Sequence, residues 1–211
     1  MPIVSIDGSM RRLLILKTRN FAGICLTLIS LGLIPVFPLL GLIGAFGNQV
    51  DQDKEITASF LADAQADTML VSLGYVGCTS TCPITLATLR TVYISYTQLY
   101  SRASLDVMFI GIPIPGQIAL EDEVDLYAKH FHKDFKGYGL TGDVMNRTLQ
   151  EFGASFSPLL TNPQELSHTS FIYLLQKVDD TWILKHTYTD YPPKSAVILN
   201  DLLALREKST P

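Results

Sequence analysis

The sequence predicts an α/β domain that follows a single N-terminal transmembrane helix. Three observations carry this prediction: a long uncharged apolar run near the N-terminus, alternating strand and helix patterns after it, and a strand–strand–helix pattern at the end. The chain has 211 residues, which is enough for one ordinary domain with an appendage but short for two full domains.

The apolar run accounts for much of the high hydrophobic content, which is 47% of the chain. Residues 21–47 contain no charged side chain and exceed the roughly 20 apolar residues that cross a bilayer. A cleaved secretory signal has a shorter core of about 7–15 residues and a small-residue cleavage site. A buried core helix of this length would contain polar residues. We therefore expect residues 21–47 to be an uncleaved signal-anchor, in which Cys25 is a small apolar residue.

Positive charge on the N-terminal side sets the expected orientation. Arg11, Arg12, Lys17 and Arg19 precede the anchor, so we expect residues 1–20 to stay in the cytoplasm and the following domain to be exported. The short leader running directly into the anchor favours a bacterial inner (plasma) membrane over a mitochondrial inner membrane. The exported part carries 12 Lys and Arg against 19 Asp and Glu, which argues against nucleic acid as a partner.

Residues 48–66 read as a linker or a short helix, and residues 67–211 as the exported domain. Apolar periodicity predicts strands at 69–76, 106–112, 169–176 and 181–188, and helices at 83–100, 119–133, 143–152 and 195–207. A strand–helix–strand–helix half followed by a hairpin and a helix is the order of the thioredoxin fold. The predicted fold class is therefore α/β and thioredoxin-like.

Cys78 and Cys82 lie between the first strand and the first long helix, in the run Cys-Thr-Ser-Thr-Cys-Pro. This is the edge of an α/β sheet where ligands usually bind. We expect Cys82 to stand at or just before the helix N-terminus, where unpaired N–H groups favour a thiolate, and the thiolate is the form that attacks disulfides and binds metals. The alternative is a structural disulfide, whose stabilisation would be small for so short a loop.

His168 is the next candidate, because it directly precedes the strand that opens the hairpin. In a thioredoxin topology the loop entering this strand runs beside the redox cysteines. Two thiolates and one imidazole form a soft set that suits Cu(I) and can accept Cu(II), whereas zinc would need a fourth ligand that is not obvious in the sequence. His130 and His132 are expected to face solvent, and His186 to have a cross-strand or surface role.

The segments 74–90 (GYVGCTSTCPITLATLR) and 167–175 (SHTSFIYLL) resemble the SCO/SenC family of membrane-tethered copper proteins. The resemblance extends over roughly residues 65–205. It implies a thioredoxin fold on one anchoring helix, with copper bound by Cys78, Cys82 and His168. It also implies a partner, the copper-bearing subunit of cytochrome c oxidase or another copper or thiol protein. Some family members act as thiol–disulfide reductases on that dinuclear copper site.

The chain departs from the family pattern near the site. The family usually has proline after the first cysteine and an acidic residue between the pair, whereas this chain has Thr79, Ser80 and Thr81. Ser167 stands before the histidine where an acidic residue is common, and residues 112–116 read Ile-Pro-Ile-Pro-Gly where an Asp-Pro stretch is usual. These departures predict an intact ligand set without the acidic neighbours that orient ligands elsewhere.

Three functions therefore compete. The first is a copper metallochaperone that assists assembly of the oxidase copper site. The second is a membrane-anchored thiol–disulfide oxidoreductase in which Cys78 and Cys82 keep partner cysteines reduced. The third is a non-catalytic assembly module in which the two cysteines form a structural disulfide.

Overall fold

The computed structural model of the protein describes residues 53–101, 104–114, 116, 120–158 and 166–209. The predicted cytoplasmic segment 1–20 and the predicted anchor 21–47 lie outside the described residues, as does Cys25. Among the residues that are described, none of the helices combines the length and apolar character needed to cross a bilayer.

The described residues contain eight strands and four α-helices. The strands are β1 (Lys54–Ile56), β2 (Thr68–Gly74), β3 (Asp106–Gly111), β4 (Lys136–Gly139), β5 (Phe156–Pro158), β6 (Leu166–His168), β7 (Ile172–Val178) and β8 (Thr181–Tyr188). The helices are α1 (Thr81–Leu99), α2 (Glu121–Phe131), α3 (Gly142–Glu151) and α4 (Ser195–Ser209). A short 3₁₀ helix spans Ser59–Asp63.

Six strands form one mixed sheet in the order β1-β8-β7-β2-β3-β4. Strands β2, β3 and β4 run parallel, whereas β7 is antiparallel to both β2 and β8. This arrangement confirms the predicted α/β class and its thioredoxin-like order of a parallel half and a hairpin. Strands β5 and β6 pair only with each other in a separate two-stranded sheet.

Strand β2 lies at the centre of the sheet and carries the cysteine loop at its carboxyl end. Met69, Leu70 and Val71 are fully buried on it, as expected for a strand covered on both faces. Helix α2 packs closely on the neighbouring strands: a Cβ on Gly137 of β4 would overlap the backbone of Val124. Glycine at this position therefore lets the helix approach the sheet.

Local patterns predicted the long elements well and the short ones poorly. The strand predicted at 181–188 is β8. Its partner strand begins at Ile172 rather than at residue 169, because Ile172 pairs with Tyr188, the last residue of β8. Strand β4 was not predicted, since its four residues include two glycines and are held by pairing with β3. Within the predicted linker, Lys54–Ile56 forms a strand by pairing with β8.

Candidate metal and thiol site

The two cysteines lie in a tight connection between β2 and α1. The backbone N–H of Cys78 donates to the carbonyl of Tyr75 at 3.3 Å, which closes a turn directly after the strand. Gly77 occupies this turn with φ of +92°, a left-handed conformation that a side chain disfavours. Helix α1 then begins at Thr81, so Cys82 lies in its first turn and Cys78 just outside its N-terminus.

Both thiols are free and buried, since Cys78 is 4% exposed and Cys82 is 3% exposed. Gly74 explains how Cys82 fits against the sheet: a Cβ on Gly74 would overlap the Sγ of Cys82 and approach Phe109 to 2.9 Å. The hydroxyl of Tyr127 on α2 donates to the carbonyl of Cys78 at 3.4 Å, which ties the loop to the neighbouring helix.

His168 ends strand β6 and points its Nε2 at the sulfurs. Nε2 lies 3.9 Å from the Sγ of Cys78 and 3.8 Å from the Sγ of Cys82. Its Nδ1 is 3.1 Å from the carbonyl of Thr169, and because a carbonyl can only accept, Nδ1 carries the proton. When the ring is neutral, Nε2 therefore presents its lone pair to the sulfurs, and when the ring is protonated, Nε2–H donates to Cys78.

Two aromatic side chains fix the plane of the His168 ring. Phe156, its cross-strand partner on β5, stacks on it with centroids 5.3 Å apart and an interplanar angle of 11°. Tyr75 meets the ring edge-on at 5.7 Å. The imidazole thus has a hydrogen bond on one nitrogen and aromatic contacts around it, which leaves few alternative orientations.

The donor atoms of Cys78, Cys82 and His168 all lie within 4.8 Å of one another. With bonds of about 2.3 Å to sulfur and 2.0 Å to nitrogen, donors at trigonal angles are about 3.7 Å apart. The observed nitrogen–sulfur distances of 3.8 and 3.9 Å are close to that value. The side chains are therefore arranged so that a three-coordinate metal ion fits between them with little movement.

The two thiols have opposite pKa shifts. A hydrogen bond from Cys82 is the main cause that lowers the pKa of Cys78, and His168 and the backbone N–H groups of Cys82 and Ser80 lower it further against the effect of burial. The same thiol–thiol hydrogen bond, followed by burial, raises the pKa of Cys82. The pair therefore holds one proton over a wide pH range, with the negative charge on Cys78.

The N-terminus of α1 was expected to stabilise the thiolate form of Cys82. Instead, the backbone N–H of Cys82, in the first turn of the helix, lowers the pKa of Cys78. His168 balances the negative charge of the Cys78 thiolate. Burial lowers the pKa of His168, but the hydrogen bonds with Cys78 and Thr169 and the charge of Cys78 outweigh burial. The pKa of His168 is therefore raised. Cys78 and His168 thus stabilise each other's charged forms.

The other histidines lie outside this cluster. His130 is exposed on α2, as predicted. His132 was expected to face solvent, but it is half-buried and packs on Tyr93 at 4.8 Å and Phe135 at 5.4 Å. The chain leaves α2 at this residue, which turns its ring inward. His186 pairs with β7 and stacks on Tyr188, consistent with the predicted cross-strand role.

Sequence reasoning brought together the cysteines and His168 but missed the residues that hold them. Thr81 is one of these, since its Oγ1 lies 3.1 Å from Nε2 of His168 and 3.6 Å from the Sγ of Cys78. Its place between the two cysteines was the available signal. Phe156 gave no signal, because its contact with His168 depends on the pairing of β5 with β6.

We expect Gly74→Ala to displace the sulfur of Cys82. The new methyl group would occupy the space of that sulfur, so the free energy of unfolding should fall by about 1–3 kcal/mol, as for overpacked cores. Gly111→Ala is the matched control: Gly111 pairs with Gly74 in the sheet, but its Cβ would meet Val124. Urea unfolding should show a loss in both variants, whereas thiolate absorbance should change only in Gly74→Ala. An unchanged thiol titration in Gly74→Ala would contradict this packing.

We also expect one thiolate to persist below the ordinary thiol pKa of about 8.5. In Cys25→Ser protein, ultraviolet absorbance should show one thiolate at neutral pH. Cys82→Ala removes the main hydrogen-bond donor to Cys78 and should raise its pKa, whereas Cys82→Ser keeps a donor and should raise it less. Because the lowered pKa leaves the folded state with fewer protons in this window, the contribution of Cys78 to stability should grow as pH rises toward about 8.5. Equal titrations of both Cys82 variants would contradict the assignment.

Comparison with known proteins supplies the family. The family model described as SCO1/SenC matches residues 44–203, which is more than half of the chain. No curated protein matches the sequence.

Several solved structures share the fold. The apo Sco1 protein of Thermus thermophilus is 22% identical with a TM-score of 0.54, over 73% of this chain and 90% of that one. ScoI of Arabidopsis thaliana with copper bound is 14% identical with a TM-score of 0.57, over 69% and 88%. ScoI of Bradyrhizobium japonicum, also with copper bound, is 15% identical with a TM-score of 0.54, over 68% and 87%. At these identities the structures support the fold alone, and it is the family model, together with this fold, that places the chain in the SCO1/SenC family.

Proposed function

We propose that this protein is a copper-binding metallochaperone in which Cys78, Cys82 and His168 hold the ion. The observation that carries the proposal is the convergence of three donor atoms within 4.8 Å. His168 is 86 and 90 residues distant from the two cysteines in sequence. Membership of the SCO1/SenC family and the copper-bound structures of Arabidopsis and Bradyrhizobium proteins with this fold support the choice of metal.

The chemistry of the donors also favours copper over other metals. Thiolates are soft ligands that select Cu(I), and an imidazole accepts either copper state. Structural zinc requires four strong donors, whereas this cluster has two sulfurs and one nitrogen. The lowered pKa of Cys78 provides one sulfur already deprotonated, and His168 has the tautomer that leaves Nε2 free to bind.

We also propose a destination for the copper. The family resemblance favours delivery to the dinuclear copper site of cytochrome c oxidase, or to another copper or thiol protein. We further propose that residues 21–47 anchor the protein in a bacterial inner membrane, with the N-terminus in the cytoplasm. The uncharged run and the basic residues before it support this arrangement.

Copper titration of the reduced chain, in a Cys25→Ser background, tests the ligands. We expect one copper per chain, with binding weakened more than about 100-fold in His168→Ala, beyond the usual effect of a residue that only orients a ligand. Cys78→Ser and Cys82→Ser should each lose tight binding. His130→Ala is the control, because His130 is exposed and outside the cluster. If His168→Ala binds copper as tightly as His130→Ala, the assignment of His168 fails.

A second candidate function, thiol–disulfide exchange, is favoured by the opposite pKa shifts of the pair. The thiolate of Cys78 would attack a partner disulfide, form a mixed disulfide and expel one partner thiolate. Cys82 would then lose its proton and attack the Sγ of Cys78, which releases the second partner thiolate. The partner gains two electrons, and Cys78 and Cys82 become a disulfide.

Trapping the intermediate tests this order of attack. In a Cys25→Ser background, Cys82→Ser should retain a glutathione adduct on Cys78 after mixing with glutathione disulfide, because no second thiol resolves it. Cys78→Ser should form little adduct, since Cys82 is buried and burial still raises its pKa after the thiol of Cys78 is removed. His130→Ala is the control, because it keeps both thiols and His130 is exposed and outside the cluster. Mass spectrometry locates the adduct, and its appearance mainly on Cys82 would contradict the proposed order.

A further inference from the structure

Thr81 is the third polar side chain that lies against the donors of the site. It is the first residue of α1, half-buried, and its Oγ1 lies 3.1 Å from Nε2 of His168 and 3.6 Å from the Sγ of Cys78. When the ring of His168 is neutral, its proton is on Nδ1 and the hydroxyl donates to Nε2. Its oxygen lone pairs remain available on the side of the ligand cluster.

The distances among the four atoms fit a single coordination sphere. Donors held at about 2.0–2.3 Å from one ion at tetrahedral angles are about 3.3–3.8 Å apart. The separations from Nε2 are 3.1 Å to Thr81 Oγ1 and 3.8 and 3.9 Å to the sulfurs, and Oγ1 is 3.6 Å from the Sγ of Cys78. The hydroxyl oxygen therefore lies close enough to Nε2 and to the Sγ of Cys78 to share an ion with them.

We propose that the hydroxyl oxygen of Thr81 is a fourth, weak ligand of Cu(II) at this site. The inference rests on the proposed copper-binding function. Cu(I) is satisfied by two thiolates and an imidazole, whereas Cu(II) prefers additional oxygen or nitrogen donors, and sites with a weak axial oxygen are known. The hydroxyl therefore serves the oxidised ion and leaves the reduced ion unaffected.

Thr79 and Ser80 are the other two residues between the cysteines, and neither is placed as Thr81 is. Thr79 is the same residue type in the same loop, but it is exposed. Ser80 is exposed, and its Oγ is 4.0 Å from the Sγ of Cys78. Among the three residues between the cysteines, Thr81 is thus the one whose hydroxyl lies near both the Sγ of Cys78 and the Nε2 of His168.

The test measures Cu(I) and Cu(II) affinities separately, by chelator competition on the full chain in a Cys25→Ser background. Thr81→Val removes the hydroxyl at nearly constant volume. A residue that only orients a ligand can also weaken binding by about 10- to 100-fold, so the decisive result is selectivity for one copper state. We expect Thr81→Val to weaken Cu(II) binding by a factor in that range, to leave Cu(I) binding unchanged, and to alter the electron paramagnetic resonance spectrum of the Cu(II) form. Thr81→Ser should restore the wild-type values. Thr79→Val is the matched control and should change neither affinity.

Two results would overturn the inference. Equal weakening of both copper states would mean that Thr81 only shapes the loop, and a wild-type spectrum with wild-type Cu(II) affinity would mean that it is not a ligand. In both cases the parent protein binds copper, so this inference alone fails. If the parent protein binds neither copper state, the proposed function fails with it. Thr81→Ala provides a second hydroxyl-free variant should valine disturb folding.

Discussion

The close approach of helix α1 to the end of strand β2 is the constraint on which the site depends. At Gly74 the sulfur of Cys82 fills the space that any side chain would take. That contact fixes Cys82 against the sheet, and the turn through Gly77 then returns Cys78 to the helix N-terminus. A bulkier residue at position 74 would separate the helix from the strand, and the two sulfurs would no longer lie beside one another.

This packing has an electrostatic consequence. A buried thiolate would be strongly disfavoured unless it were hydrogen-bonded and paired with opposite charge. Cys78 has these partners in the thiol of Cys82, in backbone N–H groups and in His168, and its pKa is lowered although it is buried. The same arrangement keeps the proton on Cys82. The two thiols therefore have different chemistry although they lie in one loop, and their difference arises from position rather than from residue type.

The sequence was sufficient for elements whose patterns are local and for residues whose chemistry is conspicuous. The bounds of β8 and the start of α4 follow from alternating or helical apolar positions. Strands β1, β4 and β5 could not be predicted, because four or fewer residues become a strand only through pairing with distant segments. The contact of Phe156 with His168 depends on the pairing of β5 with β6, and the contact of Thr81 with His168 joins residues that are 87 apart in sequence. The ligand set was therefore predictable, but these two contacts were not.

The three donors are held by two different parts of the fold. The sulfurs are set by the central sheet and α1, whereas His168 belongs to a separate two-stranded sheet, and such a ribbon is only marginally stable alone. Its ring is positioned by Phe156 within the ribbon and by Tyr75, which directly follows β2. Tyr75 is also the residue whose carbonyl closes the cysteine turn. Because one residue supports both the turn and the imidazole, the position of the nitrogen donor is tied to that of the sulfurs.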